Sequence, residues 1–243
     1  MKKVKVFLLS LLAVLLLVIT PLSQVHAEGE STVGEEITFK DGITATTLED
    51  NDEVKKVETK DDENRYIATY YKQTGDITYE TYDENNKLVS EDFVGKNLNS
   101  KNAKAFKKNA ITTNASSTLI RENTLKEVYG YWIYKYNNQY IWVTMIRKGV
   151  AKNPTEKDAN RDELKDFKSS VDSFMSNKDQ LVAKVGAGII ATIVTLYLVP
   201  EPTWTKILAG LLTIISSAFA YAEGKAMYNA YMDSRYYFAR ITI

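Results

Sequence analysis

Polar and apolar positions alternate in three runs, at residues 65–72, 76–82 and 87–94. Period-two alternation marks strands with one covered face, and Thr74-Gly75-Asp76 and Asp83-Glu84-Asn85-Asn86 supply turns between them. The pattern predicts an antiparallel β meander. A second strand signal covers residues 127–148, where Tyr129-Gly130-Tyr131-Trp132-Ile133-Tyr134 and Tyr140-Ile141-Trp142-Val143 flank Asn137-Asn138-Gln139. β-Branched and aromatic residues fit a pleated surface, and a short Asn-rich connection suits a hairpin. Both arms carry large apolar groups on both faces, which predicts cover on both sides.

The period then changes. Asn153, Pro154 and Glu156 have the layout of a helix start. Leu164, Phe167, Val171 and Phe174 follow at spacings of three and four, the single apolar stripe of a helix lying on a core. Residues 185–200 carry no charge, nor do residues 207–222, and Pro200-Glu201-Pro202 separates the two runs. Proline disfavours helical geometry in its predecessor, so two antiparallel apolar helices are expected, the second running on to about Met232. Residues 236–243 read as a final strand. The fold class is therefore α+β, an antiparallel β meander and an aromatic β-hairpin followed by a C-terminal apolar helical hairpin.

Small residues recur every four positions in these runs. Ala183, Ala187, Ala191 and Thr195 form one ladder, and Ala209, Thr213 and Ser217 form its facing candidate. Residues four apart share a helix face, and small side chains let two backbones approach, as helices do in lipid. Tyr197 and Trp204 sit beside the turn, where interfacial aromatics belong, and Lys206 is placed to snorkel. Ala187, Ala191, Tyr197, Trp204, Ala209, Thr213 and Ser217 are thus the candidate membrane-insertion residues. Each run would give a helix of roughly 24 Å against a hydrocarbon core of about 30 Å, and a buried core hairpin explains the same pattern.

Charge sharpens the division of the chain. Residues 28–95 hold 19 acidic and 7 basic side chains, and residues 96–243 hold 12 acidic and 21 basic. An acidic segment beside a basic one suggests a membrane- or polyanion-binding half with a neutralising partner. Lys101, Lys104, Lys107 and Lys108 concentrate the positive charge and are the candidate anionic-surface residues. Residues 96–118 form a basic segment and linker. Residues 28–62 are acidic and threonine-rich with little apolar content, and residues 119–243 hold the aromatic hairpin, the amphipathic helix, the apolar helical hairpin and the terminal strand.

Residues 1–27 carry Lys2, Lys3 and Lys5, an apolar stretch and Val25-His26-Ala27, the layout of a secretory signal cleaved near Ala27. The expectation is an extracellular protein. Beyond the signal the sequence holds neither cysteine nor histidine. That removes a Cys nucleophile, a Ser-His-Asp triad and a thiolate or imidazole zinc site. A hydrolase with paired carboxylates would need two acids flanking one cleft, and the Asp and Glu here follow solvated-surface patterns, so no enzymatic activity, cofactor or metal is expected. The Asp83 turn lacks the glycine of a calcium loop. Gly186-Ala187-Gly188 begins a G-x-G-x-x-A pattern, but a helical stretch precedes it where a dinucleotide fold needs a strand.

In size, signal segment, absence of cysteine and apolar C-terminal hairpin, the chain resembles the large, heat-labile secreted bacteriocins of the geobacillin type. The resemblance concerns layout and transfers no individual residue. It implies a membrane-active antimicrobial protein whose partner is a bacterial membrane or cell-wall polyanion, with no nucleic acid involved. Two alternatives stand beside it, a secreted or wall-associated binding module with the hairpin as core, and a membrane-held accessory or immunity factor.

Overall fold

Short turns organise the first half of the chain. Asn51, Asp61 and Asp83 each accept two backbone N–H groups with their side chains, at 2.8–3.0 Å. Such Asx turns reverse the chain without help from the core. Between them run β1 (Glu36–Thr38), β2 (Thr44–Asp50), β3 (Val54–Lys60), β4 (Arg65–Tyr71), β5 (Asp76–Tyr82) and β6 (Leu88–Val94). Each pairs antiparallel with the next, giving a six-stranded meander. The computed structural model describes residues 32–39, 41–94, 117–125, 128–186, 190–199, 202–215 and 221–243.

The meander extends the expected three strands by three more, drawn from the acidic, threonine-rich stretch. Ala45, Val57 and Thr59 are buried on one face, and on the other face of β3 Glu58 is buried as well, paired with Lys60 and Arg65. Threonine is a good strand residue, so a strand here needs little apolar content.

The second sheet comprises β7 (Thr118–Leu125), β8 (Tyr129–Tyr136), β9 (Gln139–Arg147) and β10 (Val150–Lys152), in the order β10-β9-β8-β7. The aromatic hairpin is β8 and β9. Asn137 and Asn138 both have positive φ, 45° and 64°, which a two-residue turn matching the strand twist requires.

Four helices follow, α1 (Arg161–Val185), α2 (Ile190–Tyr197), α3 (Trp204–Ile214) and α4 (Tyr221–Arg240). The helix expected from Asn153 begins eight residues later. Residues 150–156 instead continue the sheet: the Trp142 and Glu156 amides donate to Pro154 and Tyr140 carbonyls along β9. The expected stripe is buried, with Leu164, Phe167, Val171 and Phe174 all at 0 % exposure. Residues 236–240 are helix, not strand. Lys152 explains the stop, because its Nζ donates to the Phe238 and Ile241 carbonyls at 2.7 Å and to Ala239 at 3.2 Å. A cation on the last carbonyls satisfies groups that a helix end leaves open.

Helices α1 and α4 pack antiparallel, with Lys184–Glu223 closing one end and Arg240–Glu163 the other. This pair covers the second sheet through Tyr129 and Tyr131, while α3 lies across β3 and β4 of the first. Buried residues of both sheets and all four helices form one continuous core.

Candidate functional site

The apolar hairpin is enclosed. Ile193, Leu196, Tyr197, Ile207 and Ala209 have no exposed surface, and Trp204 and Thr213 retain 5 % and 2 %. The two helices are also shorter than the apolar runs. Gly186 ends α1 at φ 91°, and Ile215 is extended after α3, so the second run does not continue unbroken to Met232. Eight and eleven residues give about 12 and 16 Å of helix. Among the described residues no helix is long and apolar enough to cross a membrane.

Tyr197 and Trp204 sit in the aromatic core. Tyr197 packs edge-on to Phe174 at 5.5 Å and its hydroxyl donates to the Gly224 carbonyl at 3.0 Å. Trp204 meets Tyr221 at 5.3 Å and Tyr228 at 5.7 Å. Thr213 turns its hydroxyl back to the Gly210 carbonyl. Ala191 lies on α2. Ala187, Ser217, Lys101, Lys104, Lys107 and Lys108 lie outside the described residues. Ala183, first in the expected ladder, is exposed on α1.

Close approach comes from glycines that the four-residue spacing did not single out. A Cβ on Gly210 would collide with the Tyr79 hydroxyl and stand 2.8 Å from Leu196. One on Gly224 would stand 2.8 Å from Leu211. Gly210 therefore sets the gap between α3 and the first sheet, and Gly224 the gap between α3 and α4.

The seam between α3 and the first sheet is polar for a core contact. Thr59 donates to the Thr205 carbonyl at 2.9 Å, and Thr205 donates to Asp61 at 2.6 Å. Lys206, with a side chain 6 % exposed, reaches Asp92 on β6 at 2.5 Å and lies 5.3 Å from the Tyr79 ring. Tyr79 is buried and its hydroxyl has no hydrogen-bond partner among the described residues. Burial pushes that phenol far above its ordinary range. Lysine in so dry a place is retained only with a paired acid. The only sequence cue to Asp61 and Asp92 was the single cation in an apolar helix, which the snorkelling assignment absorbed.

A further junction joins the first sheet to α4. Asp41, in the β1–β2 turn, accepts from the Tyr221 hydroxyl and from Lys225 Nζ, each at 2.8 Å. These bonds, Lys225's first and Tyr221's second, hold its carboxyl below the usual range. Elsewhere, Asp172 gathers Lys168, Asn123 and Tyr131 at 2.7–2.8 Å. Between α1 and α4 lies an open polar trough of about 370 Å³, lined by Ser169, Ser173, Asn177, Asn229 and Asp233. Among the described residues no three metal-ligating side chains converge.

The Gly186 pattern follows helix α1, where a dinucleotide loop needs a preceding strand. No protein-family model matches the chain, and no match is found among curated proteins or solved structures.

Proposed function

We propose that this is a secreted, membrane-active protein of the bacteriocin type, whose apolar hairpin is stored in the core and released at an anionic bacterial surface. The observation that supports the reading is the polar seam that α3 and the start of α4 make with the first sheet. The acidic half of the chain supplies Asp41, Asp61 and Asp92, and the helical half supplies Tyr221, Lys225, Thr205 and Lys206 to meet them. Ionic and hydroxyl pins across an apolar helix stabilise weakly for their burial, because desolvation offsets the attraction. They also fail together when an anionic surface competes for the lysines.

Helix length shapes the proposal. With α2 and α3 at about 12 and 16 Å, the hairpin fits within one leaflet, lying along the interface rather than spanning. Lys206, in the first turn of α3, would then stay at headgroup level beside Tyr197 and Trp204.

A second reading, a secreted or wall-associated binding module with the hairpin as permanent core, is favoured by the complete burial of Leu196, Ile207 and Ala209. One experiment separates the two. The chain has no cysteine, so Asp61→Cys with Thr205→Cys places its only thiols across the seam, where the native side chains lie 2.6 Å apart. The oxidised, locked protein is expected to lose dye release from anionic vesicles, and reductant should restore it. Equal release from locked and reduced forms sinks the stored-hairpin reading. No release from the unmodified protein gives the binding module its place.

A further inference from the structure

The β1–β2 turn is seated on α4 in an unusual way. Phe39 stacks on the Tyr221 ring, centroids 4.9 Å apart and planes 13° from parallel. Two residues on, Asp41 places one carboxylate oxygen between the Tyr221 hydroxyl and the Lys225 ammonium. Behind the ammonium stand Trp204, at 4.8 Å from its ring centre, and Tyr228, at 5.8 Å. The turn thus presents an anionic oxygen joined to an apolar ring, and α4 receives it with a phenol, a cation and an aromatic floor.

We propose that this receptor on α4 is a binding site for the headgroup phosphate of an anionic phospholipid, and that Phe39 and Asp41 at the tip of the turn are its built-in occupants. A phosphodiester carries one negative charge and two free oxygens, enough for the Tyr221 hydroxyl and the Lys225 ammonium together. The adjoining acyl chain takes the place of Phe39 against Tyr221. Free inorganic phosphate fills only the polar half, which is why the lipid is the better ligand. Cation and aromatic side by side is also the composition of a membrane-interface anchor.

The tip is cheap to lift. Strand β1 is three residues long, stands at the sheet edge and exposes Glu36 and Thr38. Lys225 and Asp41 retain 30 % and 37 % side-chain exposure, so solvent and ligand reach the pair without unfolding. Asp41 is the acid paired with Lys225, while the neighbouring Glu223 is held by Lys184 at 2.6 Å. Burial and bonding to Asp41 both raise the Tyr221 hydroxyl above its ordinary pKa, so it stays a donor at neutral pH. Lifting the tip frees one cation and one donor on the α4 side, next to the seam of α3.

The inference rests on the membrane-active reading for the identity of the surface, and its test is separable from that reading. Flotation with phosphatidylglycerol-containing and phosphatidylcholine-only vesicles compares the unmodified protein, Asp41→Ala, and Asp41→Ala with Lys225→Gln. Removing Asp41 is expected to raise binding to the anionic vesicles on the order of fivefold, the scale of one partly exposed ion pair. Lys225→Gln should erase that gain, and soluble glycerophosphoglycerol or inorganic phosphate should compete only at far higher concentration. Unchanged thermal midpoints establish that the turn variants remain folded. No gain from Asp41→Ala, a gain that survives Lys225→Gln, or equal competition by inorganic phosphate overturns the proposal. Dye release unaltered across all variants, with no binding change, sinks the site and leaves hairpin release standing. Lys225-dependent binding without any dye release upholds the site and sinks hairpin release.

Discussion

Replacing Asp92 with asparagine isolates the pin at the centre of the α3 seam. Lys206 stays buried at 6 % exposure while its partner loses its charge. Stranding one charge of a fully buried pair costs about 3–5 kcal/mol. Asp92 is 33 % exposed, so water already screens part of the attraction and can solvate the ammonium after a small shift. The expected cost is therefore lower, about 1–2 kcal/mol. Lys206→Met should behave differently, because it removes the buried charge and keeps the apolar stem that packs near Tyr79. Its cost should stay within about 1 kcal/mol, and Asp92→Asn added to it should cost almost nothing more. Urea unfolding of the four proteins closes this cycle, with a coupling of roughly 1–2 kcal/mol between the two positions. Additive single effects would refute the argument, since Lys206 would then be solvated independently of Asp92. In the vesicle assay Asp92→Asn should also release dye at lower anionic lipid content, as one of the contacts retaining the hairpin is gone.

Gly210→Ala forces a methyl into the Tyr79 hydroxyl and should destabilise by about 1–3 kcal/mol. Tyr79→Phe removes a buried hydroxyl that has no partner, so in thermal melts it should be neutral or stabilising, by up to about 1 kcal/mol. Asp172 gives the pH test. Burial pushes its carboxyl up, but bonds from Lys168, Asn123 and Tyr131 outweigh this and hold it below 3.8, so unfolded chains bind the proton more readily than folded ones. Stability from this group is present above that value and lost as pH falls through the lower, folded one. Asp172→Asn should cut urea resistance more at about pH 7 than at about pH 2, and an equal loss at both rules out the charge as the cause.

Much of the architecture is visible in residue pattern alone, and the exceptions share a cause. The α1 stripe was legible because it buries one set of apolar side chains at a fixed period, and the β8–β9 hairpin because β-branched and aromatic residues fill both arms around an Asn-Asn turn. Strands β1 to β3 were not, because their covered face mixes Ala45 and Val57 with Thr47, Lys55 and Thr59, all buried. Composition reads such a stretch as solvated, and only pairing with β4 turns it into sheet. Residues 236–240 looked like a strand because Tyr236, Tyr237 and Phe238 favour one. The cap from Lys152, 86 residues earlier in the chain than Phe238, is a tertiary contact that no local rule contains. Of the site, Tyr197, Trp204 and Ala209 were singled out, the two aromatics as interfacial groups and Ala209 as a helix-packing position of an inserting hairpin. The acids that meet α3 and α4, Asp41, Asp61 and Asp92, lie more than a hundred residues before the groups they contact; Asp41 and Asp61 sit in turns and Asp92 within β6, where acidic residues need no further explanation.

The distribution of polarity argues for where the molecule opens. Against the second sheet, α1 sets Leu164, Phe167, Val171 and Phe174, all without exposed surface, and Phe174 packs on Tyr129, Tyr197 and Tyr231 within 6.1 Å. Parting those surfaces exposes apolar area with nothing regained, at roughly 25 cal/mol for each Å². Against the first sheet, α3 meets Thr59, Asp61, Asp92 and the unpartnered Tyr79 hydroxyl. Parting that surface returns carboxylates, an ammonium and a phenol to water or to headgroups, which lowers its cost. The weaker plane therefore runs between the meander and α3, and Phe39 and Asp41 lie at its edge on α4. A hairpin leaving along this plane keeps α1, α4 and the second sheet together as the body that holds it to the surface.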